Sequence, residues 1–417
     1  MSYTSVKGMD DLCPPESYRW AEIEKKAKAI FESFSFSPIV TPAVERTELF
    51  SRGIGRATDI VEKQMYTFLD KNGESLSLRP EGTAPVVRAY LEHQLYHPDP
   101  YQKFYYWGPM YRYERMQKGR YREFHQFGVE VFGSASYRID AEIIFMMMHL
   151  YRELGVKKFE IQLNSLGCHE CRPKYREQLL KELRGQKSAL CADCQNRLEK
   201  NPLRTFDCKN EGCQKIAQTT LPRMVDHLCE PCKAHFEGVK TALNQLNTPF
   251  ILNPNIVRGL DYYVRTTFEI VSGDLGAQNA LGGGGRYDGL VKELGGKDTP
   301  AFGYAGGIER LLLVLENETQ PKYGVNVFVA ALGPKAQAFS YGLIHKLRLK
   351  GIKCEIDYDD SSLKAQMKKA DRMNSQCVLI IGEDEMNKGE AILRNMSTKE
   401  QKTIPFGEIL DEFKKKS

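Results

Sequence analysis

The sequence predicts an α+β fold: an antiparallel sheet core, a helical subdomain inserted into it, and then an α/β domain with a mixed sheet. Three observations carry this expectation. Residues 104–114 and 123–133 are runs rich in aromatic and β-branched residues joined by a polar loop, the pattern of a long antiparallel hairpin. Residues 165–245 are charged and cysteine-bearing, and they interrupt the apolar pattern before it resumes at Arg258. Beyond Pro321, short apolar runs alternate with amphipathic stretches, as strands and helices do in an α/β domain. The expected organisation is a core over 1–322 interrupted by 165–245, then a second domain over 323–417.

Taken in order, residues 20–34 place apolar side chains at helical spacing. Val40, 65–69 and 76–78 are expected on short strands, the last two flanking a turn at Asn72-Gly73. The hairpin tip, Arg115-Met-Gln-Lys-Gly-Arg-Tyr-Arg122, holds four cations in eight residues. After the insertion, Arg258-Gly-Leu-Asp-Tyr-Tyr-Val-Arg265 joins cations to adjacent phenols, and Gly282 to Gly285 read as a turn, either one that brings backbone close to a ligand or a plain hairpin. Residues 301–310 lead into the apolar run 311–315 as a strand into a helix. In the second domain, 325–331, 354–358 and 377–381 are expected strands, with helices covering 339–349 and 363–372.

Composition narrows the class without naming it. The chain has 417 residues, enough for two or three domains, and 59 Lys and Arg against 54 Asp and Glu leave a net charge of +5 that permits a nucleic-acid partner but does not require one. No stretch is apolar for the length of a membrane span, and residues 1–10 lack the layout of a secretory signal, so a cytoplasmic protein with no membrane partner is expected. Of eleven cysteines, eight fall in four close pairs: Cys168/Cys171, Cys191/Cys194, Cys208/Cys213 and Cys229/Cys232. A reducing compartment disfavours disulfides, and two residues between thiolates, the spacing of three of the pairs, is that of zinc knuckles; with Cys208/Cys213, which has a wider gap, four pairs would complete two structural zinc sites. Free thiols packed as small hydrophobes are the competing reading, which fits Cys13, Cys354 and Cys377.

Phe104-Tyr-Tyr-Trp-Gly-Pro-Met-Tyr-Arg-Tyr-Glu114 with Glu123-Phe-His-Gln126 resembles the second motif of class II aminoacyl-tRNA synthetases. Ala301-Phe-Gly-Tyr-Ala-Gly-Gly-Ile-Glu-Arg310 resembles the third, and Pro42 sits where the first, dimer-forming motif would place its proline. The Arg258 segment and Leu281-Gly-Gly-Gly-Gly-Arg-Tyr-Asp-Gly-Leu290 resemble the histidine-specific segments of histidyl-tRNA synthetases, so the resemblance covers essentially the whole chain in order. It implies a homodimer that uses ATP and Mg2+ to activate histidine and passes it to tRNA(His), with the last domain at the anticodon. Joining two anions, a carboxylate and the α-phosphate, needs fixed cations, and arginine supplies permanent charge in a bidentate fork. The resemblance assigns Arg112 to the α-phosphate and substrate carboxylate, Arg258 to a second positive charge there, and Arg310 to adenine and the γ-phosphate. Glu114 would read the adenine amino group and Phe124 would stack on the ring. Histidine offers an ammonium and two ring nitrogens, which calls for carboxylates and a polar aromatic wall. Glu81, Thr83 and Gln126 are expected at the ammonium, and Glu130, Tyr262 and Tyr263 at the imidazole. Arg115, Gln117, Arg120 and Arg122 are expected at the tRNA acceptor end. The resemblance does not itself require metal; zinc ions in the insertion are expected to lie away from the ATP and histidine residues and to hold together a segment with little apolar core.

Two other classes compete. A non-catalytic, histidine-sensing regulatory subunit of histidine biosynthesis keeps the same core, but such paralogues typically lack the anticodon domain and parts of the Arg258 segment, both of which stand in this chain. A module sensing uncharged tRNA would need a fused effector, for which 417 residues leave no room.

Overall fold

The computed structural model describes residues 3–55, 58–199, 201–206, 208–276, 279–315 and 324–414. Two compact units divide the chain, 1–12 with 21–316 and 13–20 with 317–417. The boundary expected between 322 and 323 lies outside the described residues.

The strands of the first unit are, in chain order, β1 (Ser37–Pro38), β2 (Val44–Arg46), β3 (Thr67–Leu69), β4 (Ser75–Leu78), β5 (Gln102–Tyr111), β6 (Glu123–Phe132), β7 (Glu160–Ser165), β8 (Ile251–Leu252), β9 (Val264–Val271), β10 (Ala280–Arg286) and β11 (Ala301–Gly307). Eight of them form one sheet in the order β1-β5-β6-β11-β10-β9-β7-β8. Its six inner strands are antiparallel, and the two-residue edges β1 and β8 pair parallel. β5 and β6 hold ten pairs in register because their aromatic and β-branched side chains alternate between two packed faces. Phe104, Tyr106 and Met110 enter one apolar cluster. On the other face Tyr105 and Phe127 meet Phe31 at ring distances of 5.5 and 6.0 Å, where Ile23, Ala27 and Phe31 line one stripe of the helix Glu16–Ser33. Val40 is not on a strand. The last N–H to reach β5 is that of Ile39 (2.9 Å to Tyr105 O), Pro42 cannot extend a ladder, and Val40 is 90% exposed.

Gly282 to Gly285 do not form a turn. They lie inside β10, paired on one side with β9 and on the other with β11. The four glycines serve clearance: a Cβ on Gly283 would enter the guanidinium of Arg258, and one on Gly284 would come within 3.0 Å of both the Tyr304 backbone and the Phe268 ring. Beyond them Arg286 is fully buried, bonded to Asp140 (2.8 Å), Asp288 (3.0 Å) and the carbonyls of Ser134 and Ser136.

Between β7 and β8 the chain forms the helices Cys171–Gly185, Ala192–Arg197, Glu211–Thr219 and Glu230–Gln245. The insertion is helical as expected, but it has a core: Leu179, Leu183, Leu198, Leu221 and Met224 gather around the cysteines.

The second unit holds β12 (Val327–Ala331), β13 (Cys354–Ile356), β14 (Cys377–Ile381), β15 (Glu390–Asn395) and β16 (Gln401–Pro405) in the order β13-β12-β14-β15-β16. The first three are parallel and the rest antiparallel, a mixed sheet, with helices at Pro334–Leu349 and Leu363–Arg372. β15 and β16 extend the sheet beyond the strands expected from sequence: the apolar run of β15 is only three residues long, Ala391 to Leu393, and β16 is largely polar and exposed.

Candidate active site

A cavity of about 330 Å³ opens on the sheet, floored by β6, β10 and β11 and walled by the hairpin tip and the loop 258–263. Ten residues expected at ATP and histidine line it: Glu81, Thr83, Arg112, Glu114, Phe124, Gln126, Arg258, Tyr262, Tyr263 and Arg310.

Glu81 stands before the helix Thr83–Glu92, and its carboxylate accepts from the N–H groups of Thr83 (2.7 Å) and Ala84 (2.9 Å) at that helix's N-terminus. Burial raises its pKa, and the two N–H groups oppose the rise by favouring the anion. Arg112 is anchored by its Nε to Pro80 O (2.8 Å) and lies over the Phe124 ring at 5.2 Å. Burial lowers its pKa. Arg258 pairs with Glu269 of β9 and faces the Tyr263 ring at 5.6 Å. Burial works against its charge, but Glu269 more than offsets this and leaves its pKa raised. Arg310 is held between the hairpin tip and β10, with Nε on Gly119 O (3.2 Å) and Nη1 on Ala280 O (2.7 Å). Arg112, Arg258 and Arg310 thus face one cavity. Among the described residues, Gln126 Oε1 and the Tyr262 hydroxyl are buried there without a hydrogen-bond partner, an acceptor and a hydroxyl left for a ligand.

Glu130 sits differently from its expected place. It is fully buried behind the cavity and not in its lining, accepting from the hydroxyls of Thr83 (2.7 Å) and Tyr287 (2.5 Å). Gly303 stands opposite it on β11, and a Cβ there would collide with its carboxylate. Burial pushes its pKa up to about 8, against those two hydroxyl bonds. The basic tip divides as well. Arg115 and Gln117 are exposed. Arg120 instead turns into the cavity wall and pairs with Glu114 (3.0 Å), while Arg122 stacks on Tyr113 at 4.1 Å.

Several residues of the site were not singled out from sequence. Glu269 and Tyr287 hold Arg258 and Glu130, and Glu309 accepts from the His125 N–H at 2.9 Å, fixing β6 beside Phe124 and Gln126. Tyr287 and Glu309 lie inside quoted motifs, so a signal existed. The insertion also reaches the site: Arg172 donates to Tyr263 O and Arg204 to Gly259 O.

The eight paired cysteines form two knots, Cys168/Cys171 with Cys229/Cys232 and Cys191/Cys194 with Cys208/Cys213, each with its four sulfurs within 4.8 Å of one another. Sulfur separations of 3.7 Å (Cys168 to Cys171), 3.8 Å (Cys168 to Cys229) and 3.7 Å (Cys191 to Cys208) can be compared with known bond lengths. A disulfide needs about 2.05 Å, whereas four sulfurs at about 2.3 Å from a tetrahedral ion are spaced about 3.8 Å apart. N–H groups cross each knot, Cys229 N to Cys171 Sγ (3.1 Å) and Cys191 N to Cys213 Sγ (3.2 Å). Gly167 takes a left-handed φ of +62° where a side chain would strike Met224 and Cys171. The donor set and its spacing fit a metal ion in each knot.

Cations converging over an antiparallel sheet, beside a buried carboxylate at a helix start, make a site for bringing two anions together. The histidyl-tRNA synthetase family profile matches residues 8–311, and an anticodon-binding domain profile matches 326–416. Histidine-tRNA ligase of Desulfatibacillum aliphaticivorans is 49% identical over 97% of both chains, and that of Geobacter metallireducens 48% identical over 96% of this chain and 97% of its own. The crystal structure of apo Staphylococcus aureus histidyl-tRNA synthetase superposes with a TM-score of 0.84 at 37% identity, covering 99% of this chain and all of that one. The chain belongs to the histidyl-tRNA synthetase family.

Proposed function

We propose that this aminoacyl-tRNA synthetase is a histidine-tRNA ligase, which activates histidine with ATP and Mg2+ and transfers it to the 3′ end of tRNA(His). The observation that carries the reading is the convergence of Arg112, Arg258 and Arg310 on the cavity that also holds Glu81 and the unpartnered Gln126 Oε1. In this reading Arg112 and Arg258 flank the reacting carboxylate and α-phosphate, screening their repulsion and the negative charge on the α-phosphoryl oxygens as the carboxylate attacks and pyrophosphate leaves. Arg310 and Glu114 take the γ-phosphate and adenine, and Phe124, already against Arg112, faces the adenine ring. Glu81, Thr83 and Gln126 take the ammonium. Tyr262 and Tyr263 close on the imidazole, and Glu130 backs that pocket through the Thr83 and Tyr287 hydroxyls. Of the basic tip, the exposed Arg115 and Gln117 meet the tRNA acceptor end, and Arg120 and Arg122 shape the loop behind them.

The remaining assignments have separate support. The eight cysteines hold two structural zinc ions, since sulfur-only tetrahedral sets suit zinc. The enzyme works as a homodimer, for which Val40, two residues before Pro42, and Phe68 and Leu69 of β3 are exposed apolar side chains. No helix among the described residues is long and apolar enough to cross a membrane, consistent with a cytoplasmic enzyme. Pyrophosphate exchange measured across the twenty amino acids tests the central reading. Exchange stimulated by histidine alone is expected. Histidine binding with no exchange would instead favour the regulatory paralogue.

A further inference from the structure

The loop 258–263 carries Arg258, Tyr262 and Tyr263 to the cavity, yet it has no regular secondary structure to hold it. Behind it lies a second cavity of about 230 Å³, lined by Arg172, Asn201, Arg204 and Asp261 as well as Arg258 and Tyr263, so close packing does not support the loop there. Hydrogen bonds from the insertion do. Arg172 donates to Tyr263 O and through Nε to Leu166 O (3.2 Å). Arg204 donates to Gly259 O (2.8 Å), and Asn201 Nδ2 to Asp261 Oδ1 (3.3 Å). The guanidinium acceptors are main-chain carbonyls, so these contacts fix the path of the loop itself.

Each guanidinium is tied to a different cysteine knot. Arg172 directly follows Cys171 at the start of the helix Cys171–Gly185. Arg204 and Asn201 lie between Cys194 and Cys208, in the strap that the second knot closes. We propose that Arg172 and Arg204 are positioning residues for the amino-acid pocket and that the metal-bound knots set them, so that metal loading controls histidine affinity. The proposal rests on the cavity being the histidine site and on the knots being metal sites.

The test uses the full chain. Histidine and ATP KM are measured by pyrophosphate exchange for R172A, R172K and R204A, with zinc content measured on the same preparations. R172A is expected to raise the histidine KM about tenfold, the loss of one charge-assisted hydrogen bond, with ATP KM and zinc content unchanged. R172K keeps a donor and should recover part of the loss, and R204A should show a smaller rise. An unchanged histidine KM in both alanine variants, or an equal rise for ATP, overturns the proposal. C171S and C208S then test the link to metal: each should lose one ion and raise the histidine KM. A variant that loses its ion and keeps the wild-type KM overturns that link. Wild-type enzyme without metal would sink only the metal reading, because the arginine variants still report on the loop. Exchange with a different amino acid would overturn the functional reading, and the KM split would then be read with that acid.

Discussion

Glu130 and Cys171 are both buried polar groups of one unit, but they are held in place by different means. Glu130 has two hydroxyl donors, a glycine opposite it on β11 and the register of β5, β6 and β11 around it, all supplied by the chain. Cys171 shares a knot with three other thiols, and a thiol is a weak donor and a weak acceptor. The sheet floor of the cavity is therefore specified by strand pairing within the chain, whereas each knot gathers four sulfurs at a spacing that fits a cation.

Breaking the cavity should have the largest effect. R258A is expected to lower histidine-dependent pyrophosphate exchange by about two to four orders of magnitude, the scale for removing a preorganised charge at a transition state, with circular dichroism unchanged. Near-normal exchange would remove Arg258 from the chemistry. E130Q comes next, with a rise of up to about tenfold in histidine KM and little change for ATP, as expected for disturbing the hydrogen bonds that a buried, largely protonated carboxyl shares with Thr83 and Tyr287. Equal losses for both substrates would make Glu130 a purely structural residue.

The same variant carries a pH signature. Because the folded carboxyl titrates near 8 against an ordinary 4.5, the folded state keeps a proton that the unfolded chain releases. The stability so contributed is complete below about pH 4.5 and is lost as pH rises through about 8. E130Q cannot titrate, so urea unfolding should show a flatter decline between these limits, and a decline parallel to the wild type would assign the effect elsewhere.

The knots should respond to metal removal where the sheet does not. Chelation is expected to remove two zinc ions per chain and to expose the helices 171–245 to amide exchange while the β5–β6 hairpin stays protected. Loss of protection in the hairpin at the same rate would erase the distinction between the two regions. The smallest effect belongs to the exposed tip. R115A and Q117A should reduce kcat/KM for tRNA by several-fold, about 1 kcal/mol each, and leave pyrophosphate exchange alone. A matching fall in exchange would place these residues in the ATP site.

Residues whose partners are close in sequence were legible before the structure. The two hairpin strands follow from their local pattern, and ten of the cavity's residues stand in motifs to which the family resemblance gave a place. Long-range partners were not. A spacing of two residues joins Cys168 to Cys171 but says nothing of Cys229, and Arg172 resembles any helix-surface arginine until its carbonyl acceptor is known. Gly282 to Gly285 were misread as a turn because a glycine run gives the same signal in isolation, while the need for clearance comes from Arg258, Phe268 and Tyr304 on other elements. Arg120 counted as part of a basic tip because its partner Glu114 lies across the loop.

A strand of consecutive glycines carries almost no address of its own. Sliding β10 by one position would exchange hydrogen atoms for hydrogen atoms along Gly282 to Gly285, so those residues cannot tell one alignment from the next. Its ends can. Leu281 is buried at one end, and at the other Arg286 is fixed by Asp140, Asp288 and two carbonyls, contacts that a slip would break together. These two side chains act as the index marks of the floor of the site, and Arg286, far from any proposed chemistry, keeps Gly283 beneath the Arg258 guanidinium.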